Sequence, residues 1–425
     1  MKTKINFDFQ AHDTSLKKEI LAGLTSFFTI VYIAAVNASI LADAGIPFEA
    51  GMIATVITSV FGCLLVGLYA NAPIILVPGM GVNAFFTFTM VQSMGLSWEV
   101  ALASVFIAGI LFAITAFTPL AGLLSKAIPV SLKEAITVGI GLFLTFIGLQ
   151  KGGIVVSSDS TFVALGDIGS AHVLATLATL AIAALLFIRN IKGHFLISML
   201  IGTAIAWSMG LIETGQQQEG FSFSSYASVF AAMSFEDFLV LPFWIATFSM
   251  AMILVFENMG LLHGLLPDQS KFSKAYKANS ISAISAGLFG TSPTVSTVES
   301  ASGIAAGGRT GMTSVTTGLL FLTSLFFIPV FKMIPDSAIA PVLIIIGGLM
   351  ITSIQNISLQ DFSEGFPAFL IIVMIPLTYS IVDGIAFGFI AYPFMKLALG
   401  KGKDVPVPMY VIASLFFINF FLHGI

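Results

Sequence analysis

Charge is what this chain has least of: only 9% of its 425 residues are Asp, Glu, Lys or Arg, against roughly 25% in an ordinary soluble domain. With 57% apolar residues and a mean hydropathy of +1.03, almost every long stretch seeks hydrocarbon, which excludes a soluble globular protein. No basic block accompanies the formal net charge of −4, so no nucleic-acid surface is expected. Cysteine is nearly absent, and Cys63 alone can form neither an intrachain disulfide nor a thiol cluster for a metal. His12, His172, His194, His263 and His423 are scattered near the ends of apolar stretches, without the spacing of a metal site. No set of nucleophile, base and metal is visible, so neither an enzyme nor a cofactor is expected. The polar segment up to Glu19 lacks the short apolar core and small-residue cleavage site of a removable signal peptide.

Apolar stretches long enough for a helix to cross a bilayer, about 20 residues, are what the chain has in abundance. Seven fall at 19–42, 50–70, 74–94, 98–120, 133–150, 171–188 and 194–212. A polar interlude from Glu213 to Asp237 follows, and seven more lie at 239–266, 279–290, 293–309, 312–332, 336–354, 365–381 and 383–399. The expected architecture is an all-α polytopic membrane protein with 14 transmembrane segments. The remaining apolar tail, 405–425, can cross, re-enter or lie along the surface. Basic residues test the count, because cytoplasmic loops carry the excess of Lys and Arg. With the N-terminus cytoplasmic, 15 of the 17 fall inside, and only Lys151 and Lys332 fall outside.

An odd number of spans per half makes the second half enter from the opposite side, a 7+7 inverted repeat of the kind found in secondary transporters. The third segment of each half is interrupted at a corresponding place, by Pro78-Gly79-Met80-Gly81 in one and Gly290-Thr291-Ser292-Pro293 in the other. Backbone freed of helical bonds cannot face lipid, so paired breaks point to a binding site near the midplane. Ser292 and Pro293 read as the N-cap and first turn of a half-helix, which would put Glu299 on its second turn.

Nineteen of the 21 carboxylates lie in loops or near span ends; Glu257 and Glu299 do not. Glu257 sits about nine residues from the end of its span, roughly 13 Å deep. No Lys or Arg is expected at that depth. An ionised, unpaired carboxylate costs at least about 2.5 to 3.5 kcal/mol at the centre of a membrane helix, so each acid must be protonated, hydrated or bound to something. Polar glue between helices is the structural alternative. Asn83, after the first break, offers a donor and an acceptor for a ligand, or an ordinary helix cap. Phe28, Tyr32, Phe85 and Phe86 could stack on a flat ligand, but with 41 Phe in the chain, lipid-facing or core packing accounts for them more simply. The glycines of GIAAGGRTG at 303–311 lack the strand and Lys-Ser/Thr pair of a phosphate cradle and suit close helix packing before a turn.

Four stretches are recognisable: GLTSFFTIVYIAAVNASIL at 23–41, NAPIILVPGMGVNAFFTFT at 71–89, GIGLFLTFIGLQKGGI at 139–154 and GTSPTVSTVESASGIAAGGRTG at 290–311. On these, and over nearly its whole length, the chain resembles the adenine, guanine and hypoxanthine permeases of the nucleobase–cation symporter superfamily. The PGMGVNAFF and ESASGIAAGGRTG blocks are the specific ones. The resemblance implies a uracil-transporter-like fold in which spans 3 and 10 contain short strands that pair ahead of half-helices. It implies a core domain from 19–120 and 239–332 and a gate domain from 133–212 and 336–399. It further implies that Glu299, Glu257 and Asn83 bind substrate beside backbone groups of Ala84 and Val298, with Glu257 and Glu299 coupling protons. One departure is Phe256-Glu257-Asn258-Met259-Gly260, where many members carry Asp followed by Thr-x-Gly; the longer acid bears on the ligand pose.

The function expected is proton symport of purine nucleobases across the cytoplasmic membrane by alternating access. A carboxylate accepts two hydrogen bonds side by side, which suits guanine and, less fully, hypoxanthine; adenine presents a donor beside an acceptor. The expected partners are a purine, a proton (or sodium in its place), the lipid bilayer and, as an open question, a second copy in a homodimer. The alternatives are an anion transporter of the same architecture and an ion channel.

Overall fold

A computed structural model describes residues 7–120, 122, 127–212 and 223–423. The first part of the polar interlude expected at 213–237, residues 213–222 with the Gln216-Gln217-Gln218-Glu219 run, lies outside the described residues. Nine helices among the described residues are long and apolar enough to cross a membrane, with three shorter apolar ones at His194–Ser208, Phe362–Thr378 and Val407–Ile418. The protein is an all-α, multi-pass membrane protein.

The first half runs through α1 (Leu16–Ile30), α2 (Ile33–Asp43) and α3 (Phe48–Leu65), then β1 (Leu76–Pro78) and α4 (Met80–Ala84). It continues with α5 (Trp98–Phe117), α6 (Val130–Lys151), a hairpin of β2 (Val155–Ser158) and β3 (Phe162–Leu165), α7 (Ala171–Ile188) and α8 (His194–Ser208). After the short α9 (Phe223–Ala227) come α10 (Leu241–Leu265), α11 (Phe272–Phe289), β4 (Thr294–Ser296), α12 (Ser300–Ala305), α13 (Gly311–Ser324) and α14 (Ile328–Lys332). The chain closes with α15 (Asp336–Met350), α16 (Phe362–Thr378), α17 (Ile381–Ala398) and α18 (Val407–His423). The tail left open by the sequence is therefore a helix, packed against α17 and α10.

Local signals explain where helices begin and end. Ser15, Ser97 and Ser170 cap α1, α5 and α7 by accepting from the amides of Lys18, Val100 and Val173. Gly290, at φ +84°, ends α11 in the left-handed conformation that only glycine adopts without strain, and so turns the chain into β4. The span expected at 279–290 begins seven residues earlier, at Phe272, because α11 tolerates polar and basic residues that neighbours satisfy: the Lys277 ammonium lies 5.2 Å from the Phe117 ring centroid.

Packing sorts the helices into two sets. In one, α1 lies against α12 and α13, α3 against α2, α11 and α13, and α5 against α10 and α11. In the other, α15 lies against α6, α7 and α8, and α16 against α6 and α17. Small residues set several approaches: a Cβ on Gly109 would come within 2.6 Å of the backbone of Ile284, and one on Gly287 within 2.8 Å of the Leu102 carbonyl.

Candidate functional site

The two interruptions read from the sequence meet. Strands β1 and β4 pair antiparallel, with Leu76 opposite Ser296, Val77 opposite Val295 and Pro78 opposite Thr294. Both are fully buried, so the pair satisfies backbone groups that lipid could not. The pairing extends at each end, where the Gly79 amide donates to the Pro293 carbonyl at 3.3 Å and the Ile75 amide donates to Ser300 Oγ at 3.0 Å. Gly79 is needed here because a Cβ would run into the Val295 side chain. Helices α4 and α12 thus start from opposite ends of one strand pair.

Buried amides and hydroxyls hold this crossing in place. Asn37 Nδ2 donates to Thr55 Oγ1 at 2.7 Å and to Thr291 Oγ1 at 3.0 Å, while Asn37 Oδ1 accepts from Ser292 Oγ at 3.1 Å. On the other side, Asn258 Oδ1 accepts from the Ser296 amide at 2.7 Å and from Asn279 Nδ2, which also donates to Ser296 Oγ. Residues 291 and 292 are therefore anchored to α2, and 296 to α10 and α11.

The candidate residues surround this crossing. Glu299 occupies the N-cap position of α12; the strand at 294–296 displaces the half-helix start from Ser292, so the acid lies at the mouth of the helix and not on its second turn. It is half-buried, and the preceding Val298 is 58% exposed, so an accessible space reaches this turn. The Val298 carbonyl accepts from the Ala301 amide at 3.0 Å. Glu257, also half-buried, lies on α10 next to Asn258, and α10 packs against both α4 and β4. Asn83 lies inside α4, with Gly79 at the cap position, so it is not the cap of that helix. Asn83 and Ala84 are fully buried, and neither polar atom of the Asn83 amide has a hydrogen-bond partner. No ion pair involves Glu257 or Glu299 among the described residues.

One contact was not legible in the sequence. The Tyr32 hydroxyl, on a side chain that is 1% exposed, donates to Glu299 Oε1 at 2.7 Å. Of the other aromatic residues weighed from the sequence, Phe85 and Phe86 are core and Phe28 is exposed on α1. Among the described residues, no group of His, Cys, Asp and Glu could hold a metal ion.

A multi-pass bundle with a buried strand crossing flanked by acids has the architecture of a secondary transporter. Residues 17–387 match the Permease family (Xan_ur_permease), and the chain belongs to that family. It is 48% identical over 381 residues to the nucleobase transporter PlAzg2 of Paenibacillus larvae, covering 88% of this chain and 76% of that protein. It is 40% identical to the guanine/hypoxanthine permease PbuO of Bacillus subtilis, over 98% of this chain and 100% of that one. It is 37% identical to the adenine permease AdeP of Escherichia coli, over 97% and 94%. The fold is also similar to the transmembrane domain of a cyanobacterial bicarbonate transporter, BicA, with a TM-score of 0.66 and 17% identity over 88% of this chain and 97% of that one. The murine anion transporter Slc26a9 aligns with a TM-score of 0.61 and 15% identity, over 89% and 69%.

Proposed function

We propose that this protein imports purine nucleobases by proton symport, with guanine or hypoxanthine favoured and adenine a further substrate. Glu299 and Glu257 bind the purine and couple the proton, Asn83 orients the ring, and Ala84 and Val298 offer backbone groups. The observation that carries the reading is the pair of half-buried acids beside one buried strand crossing, with no basic residue among the described ones paired to either. Such acids suit the N–H edge of a purine and a transferable proton. Curated relatives named as guanine/hypoxanthine and adenine permeases support the substrate class.

The reading includes 14 spans in a 7+7 inverted repeat, with a cytoplasmic N-terminus, a core of 19–120 and 239–332 and a gate of 133–212 and 336–399. The two helix sets support the domain division, and polar contacts between helix ends support the parity. Lys151, assigned outside, meets Asp43 at 2.8 Å and Asp336 at 3.3 Å, and Lys332 meets Glu49 at 2.7 Å, all five on the same expected face. Glu19, Asn71, Lys271 and Arg309, all assigned inside, bond with one another's side chains or backbone. A miscounted span between them would have put such partners on opposite faces.

An anion site of the same architecture would call for a cation near the crossing. Among the described residues the two buried lysines serve elsewhere: Lys271 donates to the carbonyls of Asn71 and Arg309, and Lys396 pairs with Glu364 at 2.7 Å. The half-buried Lys133 has its ammonium 5.4 Å from the centroid of the Phe256 ring, beside Glu257, and makes no ion pair with that acid. Uptake of labelled guanine into cells or proteoliposomes is the test. It should saturate, resist competition by sulfate or bicarbonate, and fall when the proton gradient is collapsed; accumulation without any ion gradient would defeat the symport claim, and single-channel currents the carrier claim.

A further inference from the structure

We propose that Tyr32 is the positioning residue of the purine site: its hydroxyl fixes the Glu299 carboxylate in the orientation from which that acid meets the ligand. The inference rests on the assignment of Glu299 to purine binding above. A tyrosine hydroxyl has one proton to give, and that of Tyr32 goes to Glu299 Oε1 at 2.7 Å, across 267 residues of sequence. The ring that carries it is held by its backbone and by one aromatic neighbour. Val31 and Tyr32 interrupt the helix between α1 and α2, which sets the backbone, and the ring meets that of Phe195 with centroids 5.0 Å apart and planes at 64°. Phe195 is itself buried and belongs to α8, in the other helix set, so the hydroxyl is placed by contacts from both.

A glutamate side chain that must meet a flat ligand loses rotamer entropy on binding unless it is already held. Tyr32 supplies that hold through one lone pair of Oε1 and leaves the other, together with Oε2, for the paired N–H groups of a purine. Among the described residues, Glu257 has no such tether to a tyrosine. The two acids are therefore unequal: Glu299 is the pre-set recognition element, and Glu257 the freer one.

The test measures guanine KM and Vmax in proteoliposomes, with thermal unfolding of each purified protein, for wild type, Tyr32→Phe, Phe195→Leu and Glu299→Gln. Freeing the Glu299 carboxylate should raise KM by up to about tenfold in Tyr32→Phe. Vmax and the unfolding temperature should stay close to wild type, a split that general loosening of the fold would not give. Phe195→Leu keeps the hydroxyl but frees the ring, and should raise KM by a smaller factor; it carries the test if Tyr32→Phe fails to fold. An unchanged KM in the folded Tyr32→Phe protein, or a KM rise matched by a loss of thermal stability, overturns the proposal. Unchanged guanine KM in Glu299→Gln overturns the underlying site assignment, whereas loss of binding there with no effect of Tyr32→Phe removes only the role of Tyr32.

Discussion

Asn258 Oδ1 accepts a hydrogen bond from the backbone amide of Ser296 at 2.7 Å, so the residue beside one candidate acid holds the strand that leads to the other. Glu257 and Glu299 are 42 positions apart in the chain, yet this single amide ties α10 to the end of β4. Replacing Asn258 by Leu keeps the branched shape of the side chain and orphans the Ser296 N–H. The expected cost is about 1 to 3 kcal/mol of stability, with guanine uptake lost before folding is. Thermal unfolding of purified protein beside an uptake assay checks both; normal uptake would show that the strand does not need this anchor.

Lys151 joins the two helix sets at one end, bridging Asp43 at the end of α2 and Asp336 at the start of α15. Partly exposed ion pairs contribute about 0 to 1 kcal/mol, so Lys151→Ala should leave the unfolding temperature nearly unchanged. The same energy, spent on holding that end shut, corresponds to a shift of up to about fivefold in the conformational equilibrium. Labelling of a Val298→Cys reporter by a membrane-impermeant thiol reagent from outside should rise accordingly, against little background from the buried Cys63. Equal labelling with and without the lysine would remove the bridge from gating.

Glu19 is fully buried at the start of α1, where its carboxylate receives the amides of Arg309, Thr310 and Thr313 and the hydroxyl of Thr313, the last at 2.6 Å. It closes the N-terminus of α13, where a negative charge also meets the positive end of the helix dipole. Glu19→Gln turns an amide donor toward donors and should destabilise the protein by about 1 to 3 kcal/mol for each bond lost. A lower unfolding temperature with unchanged guanine KM is the expected pattern.

Gly290 has φ +84°, and a Cβ there would lie 2.6 Å from the Val229 carbonyl oxygen. Gly290→Ala should therefore cost about 1 to 3 kcal/mol from backbone strain alone and lower the yield of monodisperse protein on size exclusion. Gly264, inside α10 with nothing within 4 Å of its missing Cβ, is the contrast. Ala at that position should be neutral or stabilise by up to about 1 kcal/mol.

Hydrophobic run length and the placing of Gly and Pro, properties of residues near one another in sequence, made the membrane class, the long apolar helices and both broken segments readable from the chain alone. The recognisable blocks around 71–89 and 290–311 added the strand pairing as an expectation. Other features depended on partners far away in sequence. Helix α11 starts at Phe272 because its polar residues find contacts on other helices, which a count of apolar residues cannot see. Glu299 occupies the N-cap position of α12 because β1 draws residues 294–296 into a strand, and Tyr32 matters only because the fold carries its hydroxyl to that acid. Hydrocarbon selects segments one at a time, so the sequence by itself determined what enters the membrane; hydrogen bonds between segments depend on which of them touch, and that only the tertiary structure decided.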